Sequence, residues 1–426
     1  MSDQPTNTKD KLIESLEVAL DQEPSFSSGT MALPPDSFTL FYRDPVTHDA
    51  RCMDLSNATE EQLKHLSDTC AIATFGRKNE DVLDESYRKA RKLDCKDFPC
   101  HFDAERSGLA RAAYGQILSG GRGTRPVKVE LYKLNVYGPG SFFKAHQDTP
   151  RANNMFGSLV VVFPTMHEGG ALSLRPDGED ETVLDCGEWL CNSEIPSVAY
   201  VSFFSDVTHE VYQVEKGYRV TLTYNLYYDK SASATNQDAI PKEITNHVAD
   251  LSQNVTRDFS QLLADETFLP EGGILGFGLR YQYAIGHSSY HKLANILQYL
   301  KGSDALIHRL LTMNGLDAEM VMIYEFFSYE IMTPRIIGGL DTVDEDYLHT
   351  LVREIDGTII STSDDSKWAQ ERVKEDVCWI TARSDIVNSS SIDYGTYGNE
   401  PGIGTSYGSV SMIARVGPPG KRAVRE

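Results

Sequence analysis

Long hydrophobic runs are missing from this chain. The longest, SLVVVF and SVAYVSFF, fall well short of the roughly 20 residues that a membrane-spanning helix needs. Basic charge is scarce too. The 40 Lys and Arg face 62 Asp and Glu, a formal charge of -22, which favours solubility and repels a phosphate backbone, so neither nucleic acid nor a membrane is expected as a partner. The start, MSDQPTNTKDKLIESLEVALDQEPSF, has no positive leader and no apolar core, and it reads as a cytoplasmic or nuclear chain rather than a secreted one. The 7 cysteines are odd in number and form no CxxC pair. Reduced thiols are expected, and zinc fingers are excluded.

What is present is length and strand texture. At 426 residues the chain exceeds one small core and predicts two or three domains. Residues 1–35 are polar, end in SSGTMALPPDS and read as a mobile tail with a short helix over 11–21. SNATEEQLKHLSDTC and KNEDVLDESYRKARKL read as two helices that buttress a sheet. From residue 127 to 228, VKVELYKLNVY, SLVVVFP, GGALSLRP, SVAYVSFF, HEVYQV and GYRVTLTYNLYY follow one another with short turns, the pattern of an antiparallel barrel or sandwich. SASATNQDAIPKE reads as a linker, which divides the chain into a domain over 36–230 and a second, α+β domain over 240–426.

The stretch KAHQDTPR carries the first chemical signal. On a strand, His146 and Asp148 share a face and can grip one ion, and imidazole plus carboxylate suits Fe(II), Mn or Zn. A third ligand must come from elsewhere. His209, at the start of HEVYQV, ranks above His167, which lies beside two glycines in PTMHEGGAL. Two His and one carboxylate leave positions open at the metal. In GYRVTLTY, Arg219, Thr221 and Thr223 share a polar face, and in LYKLNVYGPG so do Lys133, Asn135 and Tyr137. A guanidinium facing a barrel interior needs a carboxylate, from protein or ligand.

HQD, then His209, then an arginine ten residues on resembles the Fe(II)- and 2-oxoglutarate-dependent oxygenases, in particular their prolyl 4-hydroxylase-like branch, over about a quarter of the chain. The resemblance implies a double-stranded β-helix (jelly-roll) catalytic domain. It implies His146, Asp148 and His209 as iron ligands, and Arg219, Thr223, Tyr137 and Asn135 at the 2-oxoglutarate. Cofactors would be Fe(II), 2-oxoglutarate and O2, with ascorbate a candidate reductant. Related oxygenases that hydroxylate a proline in a ribosomal protein carry a metal-free second jelly roll, so a degenerate second jelly roll is one form the C-terminal domain can take. The implied substrate is a prolyl residue in a protein, with Arg151 and Lys133 as candidate substrate contacts and with Asn153, Asn154 and Met155 at the rim.

Competing readings are blander. His146 and Asp148 could be a hydrogen-bonded surface pair, and Arg219 could meet Glu210 or Glu215 at the surface. The chain could be a small-molecule hydroxylase, a cupin-like metal-binding protein without chemistry, or a zinc hydrolase, although the last leaves Arg219 and Thr223 unexplained. YGTYGNEPGIGTSYG could be a lid or a plain connection.

Overall fold

Alternation decides which way each central strand faces. In the strand Arg219–Tyr228, Val220, Leu222 and Leu226 point to one side and are fully buried, while Arg219, Thr221, Thr223 and Asn225 point to the other and line a cavity. Full burial of each such aliphatic side chain contributes about 1.5–3 kcal/mol. The strand is therefore apolar toward a core and polar toward a site.

The computed structural model describes residues 8–229, 244–246, 252–283, 293–336, 348–383 and 408–423, apart from 22, 45, 78–79, 119–125, 153 and 178. Two antiparallel sheets face each other as a double-stranded β-helix. The larger has eight strands in the order Ile244–Asn246, Phe26–Ala32, Ser197–Phe204, Met155–Val162, Arg219–Tyr228, Val127–Tyr137, Arg91–Asp94, Ala71–Ile72. The smaller has five, in the order Thr182–Leu184, Leu172–Arg175, Thr208–Val211, Phe142–His146, Arg88–Lys89. The helix Leu109–Ile117 packs against the larger sheet and buries Leu109, Ala110, Ala112, Ala113 and Ile117. Cover on both sides explains why SVAYVSFF is buried at every position. Gly217 ends one hairpin at φ 68°, where a β-carbon would sit 2.1 Å from the Met166 carbonyl oxygen, so only glycine makes the turn into the Arg219 strand.

Two sequence expectations fail here. Residues 8–32 are not a mobile tail. The short helix expected over 11–21 does form, as Thr8–Asp21, but its Leu16 and Leu20 are buried, and Phe26–Ala32 pairs along its whole length with Ser197–Phe204. Small residues such as Ser27, Ser28 and Gly29 suit a strand pressed against a helix, and Ser27 Oγ donates to the Ala113 carbonyl at 2.7 Å. The segment KNEDVLDESYRKARKL is not a helix either. It folds as the short strands Glu80–Val82, Arg88–Lys89 and Arg91–Asp94, broken by a turn in which the Asp84 carboxylate accepts from the Ser86 backbone N–H. The first buttressing helix does form, over Glu60–Thr69, with a Thr59–Gln62 capping box.

The C-terminal half holds a six-stranded sheet in the order Thr358–Thr362, Tyr329–Thr333, Ala318–Phe326, Gly408–Val416, Gly273–Gly278, Val377–Thr381, with the helices Ser252–Ala264, Gly302–Met313 and Leu348–Glu354. It is α+β as expected. Among the described residues there is no second facing sheet, so a degenerate second jelly roll does not form there. The linker and residues 394–407 of the Tyr/Gly-rich stretch lie outside the described residues. No described helix is long and apolar enough to cross a membrane.

Candidate metal centre and its cavity

The Phe142–His146 and Thr208–Val211 strands are neighbours in the smaller sheet, with His146 directly opposite His209. The register slips between Phe143 and His146, so one extra residue sits on the His146 strand. That bulge puts Phe143 and His146, three apart in sequence, on the same side: their rings stack with centroids 3.5 Å apart. Phe203 flanks His209 at 4.6 Å, and the two imidazoles lie 4.1 Å apart. Packing thus fixes both rings.

Hydrogen bonds set their tautomers. His146 Nδ1 meets the Lys144 carbonyl at 2.8 Å and His209 Nδ1 meets the Val207 carbonyl at 3.0 Å, so each Nδ1 carries the proton and each Nε2 keeps its lone pair. Burial, and then the neighbouring His209, hold the His146 pKa well below the ordinary histidine range. The ring is neutral at pH 7, as a metal ligand must be. Asp148 lies just past the strand end, its backbone N–H donating to the Ser205 carbonyl at 3.0 Å. Its Oδ2 accepts from Ser158 Oγ at 2.5 Å, which leaves Oδ1 3.9 Å from His209 Nε2. One ligand atom from each of His146, Asp148 and His209 lies within 4.8 Å of the others. Two imidazoles and one carboxylate on one side of an ion fit a divalent first-row metal and leave positions open. His167 is not in this group. It sits on the short strand His167–Gly169, rather than in a turn, with Nδ1 on the Thr165 carbonyl.

From the trio a cavity of about 540 Å³ runs to Arg219. Arg219 is 2 % exposed, and its Nε and Nη2 are buried and meet no acceptor on the protein. A guanidinium held this way is costly unless a ligand carboxylate completes it. Tyr137 lies opposite Arg219 in the sheet, the guanidinium 5.6 Å from its ring centre. Thr223 also lines the cavity, and its Oγ1 accepts from Asn135 Nδ2 at 3.0 Å, which leaves the hydroxyl proton free to donate. Asn135 Oδ1 in turn accepts from Arg88 Nη2 at 3.0 Å. Asn135 therefore orients Thr223.

Arg88 and Ser158 were missed by sequence reasoning. Arg88 is 3 % exposed, donates to the Thr74 carbonyl at 2.7 Å and lies 4.3 Å from the Phe143 ring centre. Its signal was the alternation of buried Arg88, exposed Lys89 and buried Ala90 in YRKAR, which a helical reading of the charges conceals. The candidate substrate residues Lys133 and Arg151 both line the cavity, and Met155 does as well. Asn154 donates to the Tyr228 carbonyl at 2.7 Å, and Asn153 lies outside the described residues.

Fold and site together define a double-stranded β-helix with a His-Asp-His metal constellation. Residues 132–227, which contain His146, Asp148, His209, Arg219 and Thr223, match the model of the 2OG-Fe(II) oxygenase superfamily. No curated protein matches the chain. Among solved structures, a Pseudomonas putida prolyl-4-hydroxylase is similar at 18% identity and a TM-score of 0.29, over 51% of this chain and 99% of that one. A Trichoplax adhaerens prolyl hydroxylase, solved with a hypoxia-inducible-factor peptide, is similar at 15% identity and a TM-score of 0.30, over 55% and 99%. The Escherichia coli ribosomal oxygenase YcfD is similar at 8% identity and a TM-score of 0.18, over 83% and 87%. At these values the fold rests on strand order and register.

Proposed function

We propose that the chain is an Fe(II)- and 2-oxoglutarate-dependent dioxygenase that hydroxylates a C–H bond, with a prolyl residue in a protein as its substrate. The observation that carries this reading is the buried, unpaired guanidinium of Arg219 in the same cavity as the His146, Asp148 and His209 trio. A metal-binding module or a zinc hydrolase has no use for it. The prolyl assignment rests on the motif spacing, HQD to His209 to Arg219.

Bound iron, with 2-oxoglutarate and O2, supplies the oxidation that converts C–H to C–OH as the cosubstrate is cleaved to succinate and CO2. The protein's own residues do the rest. His146 and His209 would hold the metal through Nε2, and Asp148, fixed by Ser158, would hold it through Oδ1. Arg219 would pair with the far carboxylate of 2-oxoglutarate and the Thr223 hydroxyl would donate to it, while Tyr137 lies beside the guanidinium. Phe143, Phe203, Leu172 and Val211 wall the cavity with apolar surface and limit water around the metal.

Succinate release from 2-oxoglutarate, together with mass spectrometry of a proline-containing peptide screen, tests this. Asp148→Ala is expected to abolish turnover through loss of iron, and Arg219→Ala to raise the 2-oxoglutarate requirement by about a hundredfold with iron still bound. A fully active Asp148→Ala enzyme would sink the assignment. Hydroxylation of a small molecule with none on any peptide would replace the protein substrate and keep the chemistry.

A further inference from the structure

The cavity is lined by more basic side chains than an oxygenase site uses. Its charged lining is Arg88, Lys133, Arg151 and Arg219 against one carboxylate, Asp148, in a chain whose formal charge is -22. On the reading above, a divalent iron, Asp148, the 2-oxoglutarate dianion and Arg219 form a neutral set. Arg88 and Lys133 are left over. Among the described residues neither has a carboxylate at ion-pair distance, and the buried Arg88 Nε meets no acceptor. Unpaired cations in a protein interior are retained at a cost in stability.

The backbone is shaped to present them. Thr223 pairs with Lys133 and Tyr224 with Leu131, so Tyr132 is an extra residue, a bulge in the Val127–Tyr137 strand. Ordinary alternation would turn Tyr132 away, yet Tyr132 and Lys133 both line the cavity. Lys133 Nζ lies 4.2 Å and the Arg151 guanidinium 4.3 Å from the Tyr132 ring centre, and Arg151 also donates to the Tyr132 hydroxyl. Lys133 and Asn135, the partner of Arg88, sit about 7 Å apart along one face of the strand. The cations run from the rim, Arg151, through Lys133 to Arg88.

We infer that this row is a second anion subsite, separate from the one at Arg219, and that the protein substrate carries a carboxylate or phosphate on a residue near the prolyl residue that is oxidised. Lys133 and Arg88 bind that group and Arg151 captures it at the rim. Burial, and then the Arg88 charge, disfavour the Lys133 ammonium in the free protein, a cost that a bound anion relieves. A cationic mouth on an acidic protein also draws anions toward this one opening.

The inference rests on the oxygenase reading, and one experiment separates the two. The full chain, loaded with Co(II) and saturated with 2-oxoglutarate, is titrated with inorganic phosphate at constant ionic strength while the visible Co(II) bands are followed, and 2-oxoglutarate affinity is measured in parallel. Phosphate should perturb the bands saturably. Lys133→Met should weaken phosphate at least about tenfold, Lys133→Arg should restore most of it, and 2-oxoglutarate affinity should stay within about threefold. No saturable phosphate response, or equal weakening of 2-oxoglutarate in Lys133→Met, overturns the second subsite, the latter by assigning these cations to the cosubstrate. Phosphate binding without any 2-oxoglutarate response would leave the anion subsite standing and remove the oxygenase reading beneath it.

Discussion

Ser158 stands out at the residue scale because it touches the metal ligand and not the metal. Its hydroxyl donates to Asp148 Oδ2 at 2.5 Å, which fixes the carboxylate rotation that turns Oδ1 toward the two histidines. Removing such a partner typically weakens metal binding by about 10- to 100-fold. Ser158→Ala is therefore expected to lower Fe(II) or Co(II) affinity by that factor while 2-oxoglutarate affinity in the metal-saturated protein stays near wild type; unchanged metal affinity would mean that backbone packing alone holds Asp148. The trio itself was legible in the sequence, because HxD, a distal His and an Arg occur in order with strand texture at each. Ser158 was not, since a serine inside GSLVVVF carries no local mark of its partner. Arg88 was hidden by a helical reading of a charged stretch whose true period is two.

At the scale of elements, bulges and caps explain where plain alternation fails. The extra residue between Phe143 and His146, and the one at Tyr132, each re-aim a side chain into the cavity, and single-sequence periodicity does not reveal either. A different device ties the helix Gly302–Met313 to the chain after Gly273–Gly278. Asp304, fully buried, accepts from the Arg280 and Tyr281 backbone N–H groups and from the Tyr283 hydroxyl at 2.6 Å. Burial pushes its pKa up to about 6, against the opposing pull of those donors. Because the folded value lies above the ordinary 3.8, the native state holds a proton that the unfolded chain has lost between about pH 4 and 6. Stability from this group is thus greatest below pH 4, falls as pH rises through that window and is level above it. Relative to Asp304→Asn, wild type should lose on the order of 3 kcal/mol from pH 4 to 7 in urea unfolding. Parallel pH profiles for the two proteins would contradict the assignment.

At the scale of the whole molecule, the C-terminal half reaches the metal site from behind. Lys301 Nζ lies 3.0 Å from Asp206 Oδ1, and the Gln282 backbone N–H donates to Asp206 Oδ2 at 2.7 Å. The Asp206 carbonyl accepts from Gln147, inside HQD, at 2.8 Å, and the adjacent Ser205 carbonyl holds the Asp148 N–H. Phe204 meets Tyr281 edge-on at 4.8 Å, and one continuous core spans both halves. Lys301→Met leaves Asp206 buried and unpaired, a change worth about 3–5 kcal/mol, and should weaken metal binding as well as folding. Metal affinity equal to wild type at a temperature where the variant is folded would show that the two halves are energetically separate. Sequence reading set the C-terminal half apart as a second domain and did not foresee this contact, because Asp206 and Lys301 are far apart along the chain and nothing local pairs them. It also missed the strand Phe26–Ala32, although the helix expected over 11–21 is present. A strand of Ser, Gly and Thr becomes one only when the neighbouring strand Ser197–Phe204 and the helix Leu109–Ile117 enclose it.

The most direct test of the central claim is an anaerobic titration of the apoprotein with Fe(II) and then 2-oxoglutarate, read by visible absorption. The expected result is the weak charge-transfer band of an iron-chelated 2-oxo acid, absent in His146→Ala and shifted to higher 2-oxoglutarate concentration in Arg219→Ala. Metal binding by the wild-type protein with no such band at any 2-oxoglutarate concentration would contradict it.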